Sequence, residues 1–246
     1  MISLINDELR SSFLKLCSAA QPMSCRIACL YDSYGSYEGL ADFWVQIIDG
    51  RPAAALAKYS GNITFYALPD ADAGEIEDFI NTAGYMHIEG NIPLLSYCPA
   101  GIVMRLENRD MLNKKTVCKD AEFIMSENYC GNYKDIYSLM NECRDEDFAV
   151  PEYGDLLLEL SHRVRHKTAY FCMAELCGRA VSFAMTVSLS STSAVIGAVC
   201  TLPEYRNMGL GSACIGKLAG ILGDREVFVI RAEGKNEDFY QVQGFV

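Results

Sequence analysis

Tryptophan occurs once, histidine three times and proline seven times in 246 residues. No run of about 18 apolar residues exists, so no membrane-spanning helix is expected. The first twenty residues mix Asp7, Glu8, Arg10 and Lys15 among apolar neighbours. That is an amphipathic pattern and not a leader peptide. Basic residues are few: 21 Lys and Arg stand against 32 Asp and Glu, for a formal net charge of −11. This excludes wholesale nucleic-acid binding, which needs basic surface. It mildly favours cationic substrates such as amines, through steering. The eleven cysteines contain no Cys-x-x-Cys pair. His87, His162 and His166 complete no metal-ligand spacing with them, so no metal is expected. Together these absences fit a reducing cytoplasm. The Asn62-Ile63-Thr64 sequon has no meaning without a secretory signal.

What is present is an ordinary globular composition, half hydrophobic and 22% charged. At roughly 150 residues per domain the length suggests one large domain or two small ones. The later half reads clearly. Helical spacing marks residues 133–140 (Tyr133, Ile136, Tyr137, Met140) and 155–164 (Leu156, Leu157, Leu160, Val164). Strand patterns mark 122–125, 169–175, 180–187 and 194–201, the last three as an antiparallel meander with Cys177-Gly178 as one turn. A helix follows at 209–222, then a strand at 226–231 and a short helix at 237–242. The earlier half gives strands at 43–48, 53–58 and 63–68, with turns at Asp49-Gly50 and Gly61-Asn62. A helix at 71–83 and a strand at 85–88 follow. The order strand-strand-strand-helix-strand thus occurs twice. We read it as two related α/β domains in tandem, each a mixed, mostly antiparallel sheet flanked by helices. They span 1–110 and 111–246, with the polar stretch 108–119 as linker.

One segment carries chemistry: Pro203-Glu204-Tyr205-Arg206-Asn207-Met208-Gly209-Leu210-Gly211-Ser212. A strand ends, a loop follows, and two glycines open a helix. Glycine lets a ligand approach the backbone closely. First-turn amides lack internal partners and sit at the positive end of the helix dipole, so they accept a diphosphate. Arg206 adds a fixed positive charge, and Ser212 a hydroxyl donor. Rival readings fit less well. A dinucleotide fingerprint needs a small residue where Cys214 stands, and glycines directly after the strand. A phosphate loop at Gly211…Gly216-Lys217 continues with Leu218, where magnesium needs Ser or Thr.

The core Arg206-x-x-Gly209-x-Gly211 resembles the signature of the GCN5-related N-acetyltransferases. Downstream, Asn236…Tyr240-x-x-x-Gly244-Phe245 resembles that family's later motif. The resemblance covers about residues 123–246. It implies acetyl-CoA as cofactor, held by Arg206, Asn207, Met208, Gly209, Leu210, Gly211 and Ser212. It also implies a bulged strand whose Val199 and Thr201 amides contact the pantetheine and thioester, and Tyr240 as proton donor to the departing thiolate. Asn236 is either a contact to the CoA arm or a helix cap. The implied activity is direct acetyl transfer to a primary amine of a small molecule or peptide. No nucleic acid or membrane is implied, and the protein would be a monomer or homodimer. The alternative is a non-catalytic CoA-binding or partner-binding module of the same fold.

Three departures bear on this. The strand 194–199 lacks the carboxylate base that many relatives carry, leaving Glu175 and Glu233 as candidates. The corresponding loop of the earlier half reads Leu68-Pro69-Asp70-Ala71-Asp72-Ala73-Gly74, whose aspartates would repel a diphosphate. Relatives continue beyond Gly-Phe into a final strand, so another segment, for example residues 101–106, is expected to complete the second sheet. Cys200 beside the loop is read as a small buried hydrophobe.

Overall fold

The computed structural model describes every residue except 36, 38, 97–100, 113–116 and 147. The earlier half runs β1 (Ile2–Leu4), α1 (Arg10–Cys17), α2 (Pro22–Tyr34), β2 (Ala41–Ile48), β3 (Arg51–Tyr59), β4 (Asn62–Ala67), α3 (Ala73–Ala83) and β5 (His87–Gly90). Next come β6 (Gly101–Arg105), β7 (Glu122–Met125), α4 (Tyr133–Glu142), α5 (Tyr153–Arg165), β8 (Phe171–Leu176), β9 (Arg179–Leu189), β10 (Ser193–Thr201), α6 (Leu210–Ile221), β11 (Glu226–Ala232) and α7 (Glu237–Gln241). Two compact units result, Met1–Ala100 with Leu189–Ser193, and Gly101–Ser188 with Ala194–Val246.

Turn chemistry sets the meanders. Asp49-Gly50, Ser60-Gly61 and Cys177-Gly178 each have two consecutive residues at positive φ, the backbone of a tight hairpin turn. The second turn lies one residue earlier than its sequence suggests, because Asn62 already pairs with Tyr59 as the first residue of β4. In the first unit the sheet order is β1-β2-β3-β4-β5. Alternation along β3 sends Ala55 and Ala57 into one core with Phe13, Ile27 and Phe43. Ala54 and Leu56 enter another with Phe65, Ile76 and Ile80. Helices therefore cover both faces, α1 and α2 on one and α3 on the other.

The second unit repeats this plan. Strand-helix-helix-strand-strand-strand-helix-strand describes both β1 through β5 and β7 through β11. The second sheet has the same neighbour order, β7-β8-β9-β10-β11, with β6 added beyond β11. That addition supplies the strand expected from residues 101–106. β6 runs antiparallel to β11 from Gly101↔Ala232 to Arg105↔Phe228. Leu106 bridges Phe245, and the Arg105 and Val246 backbones exchange hydrogen bonds of 2.7 and 2.9 Å. Of the polar stretch 108–119, residues 113–116 lie outside the described residues. Arg109 at its start donates to the carbonyls of Ala219 (2.9 Å) and Arg225 (2.7 Å), beside α6. Inside the unit the buried Arg163 guanidinium pairs with Glu159 at 3.3 Å and donates to the Val187 carbonyl at 3.0 Å. This satisfies a charge that would be costly to bury alone. Among the described residues, no helix is long and apolar enough to cross a membrane.

Candidate functional site

β10 is irregular at its middle. Ala198 has φ of 49°, a left-handed conformation that a non-glycine residue rarely adopts inside a strand. One residue in that conformation kinks a strand and re-aims the residues beyond it, as a bulge does. Beside it, Gly197 lies so close to Val187 that a Cβ would stand 2.8 Å from a methyl carbon. Beyond the kink the ladder to β9 resumes, since Leu202 N donates to Val181 O at 3.0 Å. Successive amides of an extended strand point to opposite sides. With Leu202 facing β9, the Thr201 and Val199 amides face the β11 side. These are the two amides singled out from the sequence.

The loop after β10 has a defined backbone. Pro203–Tyr205 form one 3₁₀ turn and Arg206 is extended. Asn207 and Gly209 have φ of 64° and 76°. Asparagine and glycine tolerate that region where other side chains are strained. The exposed Arg206 side chain is held at the β10 end of the loop, its Nε donating to the Thr201 carbonyl at 3.2 Å. The Met208 carbonyl accepts from Cys118 N at 3.3 Å, which fixes the loop's far end. α6 begins at Leu210 with no side-chain cap and no acidic residue in its first turn. Its N-terminal amides and the positive end of its dipole therefore meet no carboxylate from its own first turn.

The matching helix of the first unit is built differently. Asp72 accepts from Glu75 N at 3.0 Å, and Glu75 adds an acid in the first turn of α3. The Asp72 carboxylate already holds an amide of the kind that α6 leaves bare, and a diphosphate would meet its charge.

Leu210 and Ser212, both named from the sequence, are buried, at 1% and 5% exposure. The cap reading of Asn236 is corrected. Asn236 precedes α7 with φ 57° and ψ 15°, and its side chain makes no cap bond. A capping side chain needs the extended backbone that positions its oxygen over the next amides. The Asn236 carbonyl does accept from Tyr240 N at 3.2 Å.

The two motifs meet through a residue the sequence did not single out. A Cβ on Gly211 would stand 3.6 Å from Phe239 Cζ and 3.2 Å from Thr201 Oγ1. Gly211 thus lets α6 start directly over the end of β10, with α7 alongside. The Thr201 hydroxyl shares a 2.8 Å bond with Ser182 Oγ, and Ser182 in turn donates to the Cys200 carbonyl at 3.1 Å. Tyr240 follows Phe239 and is 8% exposed, packed edge-on against Phe239 and Phe245. Burial pushes its phenol up to about 12. Of the base candidates, Glu175 stands opposite Glu122 in the β7–β8 ladder, and Glu233 is exposed in the turn after β11.

A family model described as "Acetyltransferase (GNAT) family" matches residues 133–245. Among curated protein sequences, none matches. Similar solved structures include a tandem GNAT protein from the clavulanic acid biosynthesis pathway, determined without acetyl-CoA. It is 14% identical with a TM-score of 0.63, over 100% of this chain and 94% of that one. A Drosophila protein is 12% identical with a TM-score of 0.66, again over 100% and 94%. A GCN5-related N-acetyltransferase from Sphaerobacter thermophilus is 14% identical with a TM-score of 0.58, over 100% and 91%. At such identities the likeness is one of fold, and it spans both halves of the chain. Residues 133–245 are a domain of the acetyltransferase (GNAT) family, and the first half of the chain carries a GNAT-like fold.

Proposed function

We propose that the second unit is an acetyl-CoA-dependent N-acetyltransferase acting on a primary amine of a small molecule or peptide. The observation that carries this is the start of α6: uncapped by side chains, free of first-turn acids, and reached through left-handed Asn207 and Gly209. The residues present fit the cofactor's diphosphate. The amides of residues 209–212 and the Arg206 guanidinium would hold it, as helix N-termini hold anions generally. The Val199 and Thr201 amides, just beyond the kink at Ala198, would hold the pantetheine arm and polarise the thioester carbonyl. Bound there, acetyl-CoA would supply the acetyl thioester. No protein nucleophile is required, and positioning supplies most of the rate.

Tyr240 Oη keeps its proton at every pH in ordinary use, because burial raises its phenol to about 12. Tyr240 would thus hold a proton that it could give to the thiolate of a bound acetyl-CoA. The acidic balance of the chain, −11, supports a cationic acceptor. The first unit, with Asp72 and Glu75 at the corresponding helix start, would not bind CoA in this manner.

The test is thermal unfolding with acetyl-CoA, followed by an amine panel read through free-thiol release. A cofactor at one hundred times its Kd stabilises by roughly 2.7 kcal/mol. No shift at millimolar acetyl-CoA would sink the proposal. A shift without turnover on any amine would leave the non-catalytic CoA-binding module as the reading.

A further inference from the structure

The two units correspond residue by residue at one place. β3 and β9 each begin with an arginine directly after a glycine turn, Arg51 and Arg179. β4 and β10 are each followed by Leu-Pro, as Leu68-Pro69 and Leu202-Pro203. Both leucine amides donate to the third residue of the preceding strand, Leu68 N to Ala53 O at 2.8 Å and Leu202 N to Val181 O at 3.0 Å. Ala67 is therefore the counterpart of Thr201, and Phe65 the counterpart of Val199.

The counterparts differ in state. Successive residues of a strand turn their polar groups to opposite sides, so with Leu68 facing β3 the Ala67 N–H and carbonyl face the β5 side. β5 does not reach them, because its parallel ladder with β4 ends at Phe65↔Gly90. The side chain of Asn91, directly after β5, does. Ala67 N donates to Asn91 Oδ1 at 2.7 Å, and Asn91 Nδ2 donates to the Ala67 carbonyl at 2.8 Å. One carboxamide thus satisfies both polar groups of one residue, as a neighbouring strand would. β4 is also unkinked. No left-handed residue lies within Asn62–Ala67, whereas β10 has Ala198. β5 stays so close to β4 that a Cβ on Gly90 would overlap the Phe65 ring.

We infer that the Asn91 carboxamide stands where a ligand amide would and closes the first unit to pantetheine. Pantetheine carries secondary amides, each with an N–H and a carbonyl, the same two groups that Asn91 brings to Ala67. A ligand amide must displace Asn91 for an equal number of hydrogen bonds. It also loses translational freedom that a tethered side chain does not have to lose. The first unit is thus shut at two separate points, by Asp72 at the start of α3 and by Asn91 at the end of β4. The pantetheine part of this inference rests on the reading of Thr201 in the second unit, while the Asn91 contact does not.

The dipeptides Tyr66-Ala67 and Cys200-Thr201 each occur once in the chain. Labelling the carbonyl carbon of the first residue type and the amide nitrogen of the second therefore isolates each amide in NMR spectra of the full chain. In the wild type the Ala67 N–H should exchange with deuterium slowly, as that of Leu68 does, and millimolar pantetheine should leave its signal in place. In Asn91→Ala, exchange at Ala67 should be about tenfold faster, and pantetheine should shift the signal. Pantetheine lacks the diphosphate, so Asp72 does not enter the comparison. Asn91 lies at the surface, so its replacement should not unfold the unit. The wild-type exchange rate is a test that needs no variant.

Fast exchange at Ala67 in the wild type overturns the inference, as does an equal shift by pantetheine in wild type and variant. A variant whose Ala67 signal ignores pantetheine, while CoA shifts the Thr201 signal, overturns it too and leaves the CoA reading standing. If CoA leaves Thr201 in place, the CoA reading of the second unit fails, and the pantetheine part falls with it. The exchange rates then still decide whether Asn91 holds Ala67.

Discussion

Gly211 and Thr201 approach so closely that a Cβ on the glycine would lie 3.2 Å from the threonine hydroxyl. That hydroxyl is already committed to Ser182 at 2.8 Å, so it has little freedom to retreat. Gly211→Val should therefore destabilise the second unit by about 1–3 kcal/mol through overpacking. It should also push the start of α6 off β10, and so remove acetyl-CoA stabilisation in a thermal scan. Gly211→Ala is the milder case. Its tight contact is partly offset by the better helix propensity of alanine, worth up to about 1 kcal/mol. A valine variant with wild-type melting and cofactor response would show that this contact is unimportant.

Arg206 is exposed and bonded to the Thr201 carbonyl, so replacing it should leave melting of the cofactor-free protein nearly unchanged. Its proposed role is in binding. Hydrogen bonds to charged groups contribute about 1.5–3 kcal/mol, roughly tenfold to a hundredfold in Kd. Arg206→Glu should lose at least that much affinity for CoA, and Arg206→Lys less, because an ammonium keeps the charge and loses the fork. Titration calorimetry with CoA and with dephospho-CoA distinguishes the outcomes. Equal affinities in wild type and Arg206→Glu would remove Arg206 from the site.

The Arg206-x-x-Gly209-x-Gly211 core was legible because its glycines do specific backbone work: one left-handed position at Gly209 and one close approach at Gly211. The doubled strand-helix order was legible because both meanders carry turn residues at regular intervals. The completion of the second sheet by residues 101–106 was expected from the family resemblance and not from a pattern within those residues. Other features left weaker marks. α2 buries Ser24 and Ser33 among its apolar residues, so no clean hydrophobic stripe announces it. Ser24 is satisfied locally, donating to the Gln21 carbonyl at 2.9 Å, which no sequence pattern displays. Phe239 looked like a mere neighbour of Tyr240, because its contact with Gly211 depends on where α7 returns.

Tyr240→Phe should lower kcat by about a hundredfold or more if the phenol is the general acid, with little change in KM for acetyl-CoA. The raised phenol also affects stability. Burial favours the neutral form in the folded state, so the contribution is complete below the ordinary value of 10. It is lost as pH rises from there through about 12, because the unfolded chain ionises first. Denaturant unfolding of wild type and Tyr240→Phe across pH 9 to 12 should show a steeper alkaline loss in wild type, on the order of 2 kcal/mol. Tyr129, raised to about 12 by burial and by Asp135 and Glu175, contributes a similar slope to both proteins and cancels in the difference. Parallel curves would place Tyr240 in solvent.

Asp72 caps α3 through Glu75 N. Asp72→Ala should cost about 1 kcal/mol in the first unit, the usual worth of an N-cap. It should leave CoA binding and turnover untouched. If the variant instead gained a second CoA equivalent by calorimetry, the acidic helix start would be the barrier to binding there. If it lost the first, the site would not be confined to the second unit.

Met104 tests whether β6 is integral to the second unit. The residue is 4% exposed, pairs with Val229 across the sheet, and contacts the Arg231 guanidinium through its sulfur at 3.3 Å. Arg231 is itself buried and holds Glu237, at the first position of α7, at 2.5 Å. The chain of contacts runs from β6 through β11 to the helix that carries Tyr240. Met104→Ala removes a buried thioether and leaves a cavity, at a cost of about 2–5 kcal/mol. Because Arg231 loses a packed neighbour on the same face, the effect should reach α7. Turnover should then fall beyond what the loss of folded protein explains, with hydrogen exchange at residues 237–241 speeding up more than at residues 133–142. Uniform acceleration across the unit would indicate global destabilisation alone. No loss of stability would mean that β6 is not a structural member of this sheet.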